Sequence, residues 1–551
     1  MAKISRRTAI ISTLSLAGPA LASCTTDSHI ADLVFDHGVA SGDPTTNSVI
    51  LWTRLTSTMS APISGRWQMS HSTDFKRVIR KGKFTTNAGR DYTVKIDAQG
   101  LKPGQSYYYR FKIGKSVSPI GHTKTLPSGT VGSVRFAVAS CSNYPFGFFN
   151  AYDHIARNKD FDAVIHLGDY FYEYGRDNYG GKTGAKIGRE HEPPHETLTL
   201  KDYRIRHAQY KSDASAQAMH AAHALICTWD DHETANDSWK TGAENHNEGE
   251  GNWDDRRAAA MQAYYEWMPV RDPAAGKTRE SVFKTYDFGD LVTLTAIETR
   301  LTARNRPIDY AQYIPEFQSR EGVGNFVQNI LGDPTRELLG EPQRKYVTGA
   351  LRTSKENGKK WRIIANQTLM ARVNSPDLTD YKGQDFIDEV AKTFPPIHDY
   401  IDLSPLGLPL NLDAWDGYPV ARERFYESLD KAAINDIIVL TGDTHEFWAN
   451  TLQNASGKFM GVELGTSGVT SPGTGAYFGK AGSDFSRRLV AKNNDILYHN
   501  LENHGYIDLK LDQQGGQADF VAVSTVLSPD YTSEVIKSFP LVRTGDSVTF
   551  G

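Results

Sequence analysis

Short apolar runs that are followed at once by polar residues recur through most of the chain. Two of these runs, 134–139 and 163–167, flank a stretch with helical character at 149–157. Apolar strands that alternate with helices predict a sheet covered on both faces, because each face must be buried against another layer. The larger part of the chain is therefore predicted to be α/β. The same pattern continues with apolar runs at 224–228, 291–295, 361–365 and 436–440 and helical stretches at 256–266 and 343–355.

The segment ahead of this pattern consists of short alternating strand-like runs separated by turns. A Leu-x-Pro-Gly turn at 101–104 precedes an aromatic run at 107–111. Such a turn before an aromatic strand is typical of the tyrosine corner in immunoglobulin-like and fibronectin type III sandwiches. Two domains are the natural expectation for a chain of 551 residues. We predict a small Ig/FnIII-like β-sandwich domain at 33–126, followed by an α/β domain at 132–530.

The N-terminus has the features of an export signal. Arg6 and Arg7 precede a mild apolar stretch at 10–22, which resembles a twin-arginine signal; an ordinary secretory signal is the alternative. The stretch ends in Leu-Ala-Ser-Cys at Cys24, which resembles the lipobox of bacterial lipoproteins. Cleavage ahead of this cysteine that leaves it unmodified is the alternative. We expect a signal peptide at 1–24, with the twin-arginine export machinery as a partner and a lipid tether at Cys24 as the favoured interpretation.

Charge and hydropathy narrow the class of protein. The formal net charge is −4, with 39% hydrophobic and 23% charged residues, and this balance argues against a nucleic-acid binder, which would usually have a basic face. After the first 25 residues no apolar run approaches the roughly 18–20 residues that cross a bilayer. The mature chain is therefore expected in the periplasm, at the cell surface or secreted, either soluble or lipid-anchored.

Three cysteines are too few for a disulfide framework in an exported protein of this size: Cys24, Cys141 and Cys227. Cys141 and Cys227 could pair, but each ends an apolar run beside a polar motif. This context favours a metal ligand at Cys141 and a buried free thiol at Cys227.

Metal-ligand residue types follow several apolar runs directly. In α/β sheets the carboxyl ends of the strands form the usual ligand-binding edge, so these residues are expected to converge. A single Asp or His at such a position more often caps a helix or satisfies a core hydrogen bond, but five successive motifs are hard to explain by capping. The five motifs are Ser140-Cys141-Ser142, Gly168 to Tyr172, Trp229 to Glu233, Asn366-Gln367 and Gly442 to His445.

The order of these motifs resembles the calcineurin-like metallophosphoesterase superfamily. Gly-Asp-x-x-Tyr at 168–172 is similar to the motif of its purple acid phosphatase branch, in which the tyrosine is a phenolate ligand that selects ferric iron. Three departures distinguish this chain from the common pattern. They are Asp230-Asp231-His232-Glu233 in place of Gly-Asn-His-Glu, Asn366 in place of an isolated His, and Gly442-Asp443-Thr444-His445 in place of Gly-His-x-His.

These departures point to one branch. A cysteine in the first motif, Trp-Asp-Asp-His-Glu in the third and Gly-Asp-Thr-His-Glu-Phe-Trp in the last resemble the PhoD family of alkaline phosphatases. The resemblance covers roughly 33–510, nearly the whole mature chain. Further segments that resemble this family are 35–44, 51–54, 202–204, 298–300 and 415–419.

The resemblance to the PhoD family implies a mixed Fe³⁺ and Ca²⁺ centre on a metallophosphoesterase β-sandwich flanked by helices. Thiolate, phenolate and imidazole donors suit a ferric ion, whereas carboxylates and an amide suit calcium. The implied ligands are Asp169 as the bridge, Cys141, Tyr172 and His445 on the iron side, and Asp231, Asn366 and Asp443 on the calcium side.

The implied activity is hydrolysis of phosphate esters by a metal-activated water or hydroxide. His232 is expected to donate to the phosphoryl oxygens or the leaving oxygen, with a supporting hydrogen bond to a ligand as the alternative. Arg300 is a candidate phosphate clamp, with a structural salt bridge as the alternative. The substrate is a phosphate monoester or diester. Two alternative functions remain. One is a phosphodiesterase or phospholipase D-like enzyme. The other is a non-catalytic binding protein, because the N-terminal sandwich looks like an adhesion module.

Overall fold

The computed structural model describes residues 34–57, 61–392 and 397–551. The predicted signal peptide, with Arg6, Arg7 and Cys24, lies outside the described residues. Numbered along the described chain, the strands are β1 (Val39–Gly42), β2 (Ser48–Arg54), β3 (Ile63–Ser70), β4 (Val78–Thr86), β5 (Thr93–Gln99), β6 (Ser106–Ile113), β7 (Ser116–Val117), β8 (Gly121–Lys124), β9 (Ser133–Ala139), β10 (Ala163–His166), β11 (Ala224–Cys227), β12 (Lys284–Phe288), β13 (Val292–Ala296), β14 (Trp361–Ala365), β15 (Ile437–Thr441), β16 (Phe447–Gln453), β17 (Phe459–Gly465), β18 (Ile496–Asn500), β19 (His504–Asp512), β20 (Gly516–Val523), β21 (Ser533–Thr544) and β22 (Ser547–Phe550). The α-helices are α1 (Asn150–Arg157), α2 (Gly181–Ile187), α3 (Leu200–Ser212), α4 (Ala214–Ala222), α5 (Trp253–Trp267), α6 (Arg320–Asn325), α7 (Gly340–Glu356), α8 (Asp385–Ala391), α9 (Ile397–Leu403), α10 (Pro419–Lys431), α11 (Gly475–Phe478) and α12 (Gly482–Lys492).

Two large sheets form the centre of the molecule. Among the described residues, the first has the strand order β22-β21-β20-β19-β9-β10-β11-β1-β2-β5, and the second has the order β12-β13-β14-β15-β17-β16-β18. Strands β9, β10 and β11 are parallel, with Val138 opposite Ile165, and β13, β14 and β15 are parallel, with Ile363 opposite Ile438. Parallel neighbours in the same sheet place their carboxyl ends at one edge, so each sheet presents several strand ends together.

The two sheets pack face to face, and helices cover both outer faces. Side chains of β9, β10 and β11 share one buried cluster with side chains of β13, β14 and β15. Helices α1, α3, α4 and α5 cover the outer face of the first sheet, and α7 and α10 cover the outer face of the second. Strands buried on both faces are apolar along their whole length, which explains the continuous apolar runs in the sequence. The predicted α/β sandwich flanked by helices is confirmed.

The N-terminal segment forms a small β-sandwich with the predicted corner. The Tyr107 hydroxyl lies 2.9 Å from the Lys102 backbone nitrogen, which donates to it. Strands β3, β4, β6, β7 and β8 form one face, and their side chains pack with those of β1, β2 and β5. However, β1 pairs in parallel with β11, so β1, β2 and β5 extend the first large sheet. The sequence gives no signal for this pairing, because it joins strands far apart in the chain; the boundaries 33–126 and 132–530 stay predictions.

The segments 175–200 and 373–412 are polar or rich in glycine and proline, a composition typical of loops, but they contain helices. Helix α2 lies in the first, and α8 and α9 lie in the second. In the second segment Ile387 and Ile401 are buried in a cluster with Phe485, so tertiary packing stabilises helices that are too short to form alone. Among the described helices, none is long and apolar enough to span a membrane.

Candidate metal centre

The predicted ligands sit in strained turns at the strand ends. Cys141 follows β9, Asp169 follows β10, and Asp443 and His445 follow β15. All four have left-handed backbones, with φ of 61°, 52°, 63° and 63° in that order. A non-glycine residue in this region costs about 1–3 kcal/mol and persists where the surroundings impose it, which is common at functional sites. The turns aim the side chains into the space where the two sheets meet.

Glycines permit the close approach of these turns. A side chain at Gly168, whose φ is 114°, would place its Cβ 2.4 Å from the Asp230 backbone nitrogen. A Cβ at Gly442 would lie 2.6 Å from the Ser140 hydroxyl. The first glycine therefore brings the β10 and β11 ends together, and the second brings β15 of one sheet against β9 of the other.

Glu233 joins the turns after β10 and β11. Its buried carboxylate accepts hydrogen bonds from the backbone N–H groups of Asp169 (3.1 Å), Tyr170 (2.8 Å) and Asp230 (2.9 Å). Glu233 stands within the Trp-Asp-Asp-His-Glu motif, but the motif alone does not indicate its role. Its contacts show that it holds the backbone of two motifs in register.

The residues predicted for the iron side converge. Ligand atoms of Cys141, Asp169 and His445 lie within 4.8 Å of one another. The Tyr172 hydroxyl donates to Asp169 Oδ2 at 3.1 Å and lies 3.0 Å from His445 Nε2. His445 Nδ1 lies 2.9 Å from the Pro472 carbonyl, which orients the ring so that Nε2 faces the cluster.

The residues predicted for the calcium side converge in part. Carboxylate oxygens of Asp230, Asp231 and Asp443 lie within 4.8 Å of one another. Asn366 is fully buried beside the β15 end, but its side chain donates to the Thr368 carbonyl at 2.5 Å and accepts from the Trp415 indole at 3.4 Å. The structure thus adds Asp230 to the cluster, whereas both polar atoms of the Asn366 side chain already have protein partners.

Several observations show that these residues fit metal ions. Among the described residues, Asp169 Oδ1 and Asp231 Oδ1 are buried and have no hydrogen-bond partner, and a bound cation would satisfy both. The carboxylates suit a hard cation, whereas the thiol, phenol and imidazole donors suit a transition-metal ion such as iron. Burial raises the pKa of the Cys141 thiol, and the Asp169 carboxylate raises it further. A nearby cation would reverse this effect by stabilising the thiolate.

His232 belongs to the same cluster. One of its ring nitrogens, a carboxylate oxygen of Asp169 and a carboxylate oxygen of Asp231 all lie within 4.8 Å of one another. Its Nδ1 lies 2.7 Å from the fully buried carboxylate of Glu173, a residue that none of the five motifs contains. Burial alone would lower the pKa of His232, but Glu173, Asp231 and Asp169 together raise it well above its ordinary value. Glu173 therefore orients the imidazole beside the cluster and favours its charged form.

Arg300 is surrounded by carboxylates. It is completely buried, and its guanidinium donates to Asp230, to Asp413 at 2.5 Å and to Asp443 at 2.9 Å, with Asp231 at 3.5 Å. Every nitrogen of the Arg300 guanidinium thus faces a carboxylate, which favours a structural salt-bridge role for Arg300. Its role as a phosphate clamp stays a prediction.

The carboxylates around Arg300 outnumber the cations. Burial raises the pKa of Asp443 to about 7, even though Arg300 lowers it. Burial also raises the pKa of Asp230 well above its ordinary value, although the Arg300 guanidinium lowers it. A divalent cation would offset the excess negative charge that Arg300 and Arg304 leave.

Both remaining cysteines carry free thiols. Cys141 belongs to the cluster, whereas Cys227 is buried at the end of β11 and accepts a hydrogen bond from the Tyr264 hydroxyl at 3.4 Å. Cys227 therefore provides an internal comparison for the role of Cys141.

Comparison with known proteins agrees with this geometry. The PhoD-like phosphatase family matches residues 136–520, and the PhoD-like phosphatase N-terminal domain matches residues 20–127. Alkaline phosphatase D of Bacillus subtilis (strain 168) is 34% identical over 522 residues, which cover 92% of this chain and 80% of that protein. A solved structure of PhoD has a TM-score of 0.76 at 30% identity and covers 94% of this chain and 92% of that chain. The chain therefore belongs to the PhoD-like phosphatase family and is a hydrolase of phosphoric esters.

Proposed function

We propose that the chain is an exported, metal-dependent phosphoesterase of the alkaline phosphatase D type, with a mixed Fe³⁺ and Ca²⁺ centre. The observation that carries the proposal is the convergence of buried ligand side chains around Asp169 Oδ1 and Asp231 Oδ1, both without a hydrogen-bond partner among the described residues. A phosphate monoester or diester is the proposed substrate.

The division of ligands follows the chemistry of the two halves of the cluster. Asp169 would contact both ions because it belongs both to the group with Cys141 and His445 and to the group with Asp231. The iron side would consist of Cys141, Tyr172 and His445, and the calcium side of Asp231, Asn366 and Asp443. When bound, the ions polarise the phosphoryl oxygens and lower the pKa of a water molecule.

His232 is proposed to act on the transition state. Glu173 holds Nδ1 and favours the charged imidazolium, so the other nitrogen can donate to an oxygen in the cluster. Hydrolysis places extra negative charge on the phosphoryl oxygens and the leaving oxygen, and a positioned donor stabilises that charge. An imidazolium at this position would present a hydrogen-bond donor to the substrate.

The two buried cysteines allow a matched test of the metal assignment. Cys141→Ser should lose iron and weaken a visible thiolate- and phenolate-to-iron absorption band, while Cys227→Ser should keep both.

Asp169→Asn should lower kcat roughly a thousandfold, because loss of a metal removes several kcal/mol of transition-state stabilisation. Metal content by mass spectrometry, visible spectra and turnover of nitrophenyl phosphate check these outcomes. A colourless enzyme that is fully active with zinc alone contradicts the iron assignment.

A second test separates a proton donor from a metal ligand. His232→Ala should lower kcat by roughly 10²–10⁴ with both metals retained. If the imidazole also protonates the leaving oxygen, the loss should be larger for alkyl phosphates than for nitrophenyl phosphate. Loss of a metal equivalent would identify His232 as a ligand, and unchanged turnover would remove it from the reaction.

Export is proposed from the sequence alone. Replacement of Arg6 and Arg7 by Lys should retain the protein in the cytoplasm, whereas Lys3→Arg, which keeps the charge, should not. Cell fractionation with immunoblotting measures this. Unchanged export of the double variant would point to the general secretory route.

Cys24→Ser should release a tethered protein into the soluble fraction. Unaltered membrane association of this variant would show that Cys24 carries no lipid.

A further inference from the structure

An apolar cavity of about 280 Å³ adjoins the metal cluster. Its wall includes Thr444, which stands between the candidate ligands Asp443 and His445. The rest of the wall is mostly apolar and includes Leu369, Val373, Leu410, Trp448 and Phe478. Ala414, which follows the Arg300 partner Asp413, also lines the cavity, so two of the turns that form the site border it.

The two acidic side chains in the cavity wall are already paired. Asp416 binds Arg422 at 2.6 Å and accepts the Val373 backbone N–H at 2.7 Å. Glu446 accepts from the Thr474 backbone N–H at 2.8 Å and contacts His499 Nε2 at 2.6 Å. Their charges are thus satisfied by the protein, so the cavity favours an apolar occupant over a charged one.

A second cavity adjoins the cluster on another side and has the opposite character. It has a volume of about 940 Å³ and is lined by Asp237, Glu244, Arg306 and Asp413. Asp237 donates its backbone N–H to Asp231 at 2.6 Å, and Asp413 accepts from Arg300. Leu410 and Asn411 line both cavities. The cluster therefore adjoins one apolar space and one polar space.

We propose that the apolar cavity binds an alkyl or other apolar ester group of a phosphodiester substrate. This inference rests on the proposed function, because the phosphoryl group must lie at the metal cluster. A monoester has one organic group and needs one space, whereas a diester has two organic groups and can use both. The size of the cavity sets the length of chain that it accepts.

The test is a series of nitrophenyl alkyl phosphodiesters in which the alkyl chain grows from methyl to octyl. Each methylene that enters the cavity should raise kcat/KM about three- to fourfold, until the cavity is full and the increase stops. The metal-loaded, full-length enzyme is used, and nitrophenyl phosphate serves as the monoester reference.

Two substitutions at one position change the cavity in opposite directions. Val373→Phe should move the plateau to a shorter chain and Val373→Ala to a longer one, with the methyl diester affected least. Loss of folding cannot reproduce shifts of opposite sign. Ile308→Phe and Ile308→Ala change the polar cavity and are the matched controls, which should keep the wild-type plateau.

The outcomes distinguish this inference from the proposed function. Hydrolysis of all diesters with no dependence on chain length, plateaus that do not follow the size of residue 373, or cleavage of the monoester alone would overturn the inference and leave the phosphoesterase function standing. Failure of the metal-loaded enzyme to cleave any of these esters would contradict the proposed function itself.

Discussion

The site depends on the hydrogen bonds that the Glu233 carboxylate accepts. This carboxylate lies in the core, and its partners are the backbone N–H groups of three residues in two separate turns. Burial raises the pKa of Glu233 to about 7, while these hydrogen bonds lower it. Hydrogen bonds to a buried carboxylate are stronger than those between neutral groups, and removing one partner leaves the others unsatisfied. Glu233 therefore couples the position of Asp169 to that of Asp230.

The turns at the strand ends are strained, and the charges that they bring together repel one another. Cys141, Asp169, Asp443 and His445 all have positive φ, and the carboxylates of Asp230 and Asp443 have raised pKa values. Both features oppose folding, so the surrounding sheets must offset them. Bound cations would relieve the second feature, because they stabilise the charged carboxylates and thiolate. The same arrangement that is unfavourable without ions thus favours high affinity for them.

Much of the fold followed from local pattern. The strands at 134–139, 163–167 and 361–365 were predicted within a residue or two, because strands buried on both faces are continuously apolar. The pairing of β1 with β11 was not predictable, since nothing local marks a contact between segments so far apart in the chain. Helices α8 and α9 were missed because their stability comes from packing against distant residues such as Phe485.

The residues of the site likewise divide into those that local motifs predicted and those that only the fold reveals. The motifs identified Cys141, Asp169, Tyr172, Asp231, Asp443 and His445, which the structure brings together. Glu173 and Asp413 were missed, because each acts through a partner whose position only the fold determines. The burial of Arg300 among carboxylates likewise depends on several loops at once, so the sequence left its role open.

The central claim is that two different metals occupy the two halves of the strand-end cluster. The most direct test is a crystal structure with anomalous diffraction data recorded on both sides of the iron absorption edge. The account predicts an iron peak bonded to Cys141 Sγ, Tyr172 Oη and His445 Nε2, and a second ion without an iron edge beside Asp231 and Asp443, with Asp169 between them. Iron at the second position, or a single ion bound away from Cys141, would contradict it.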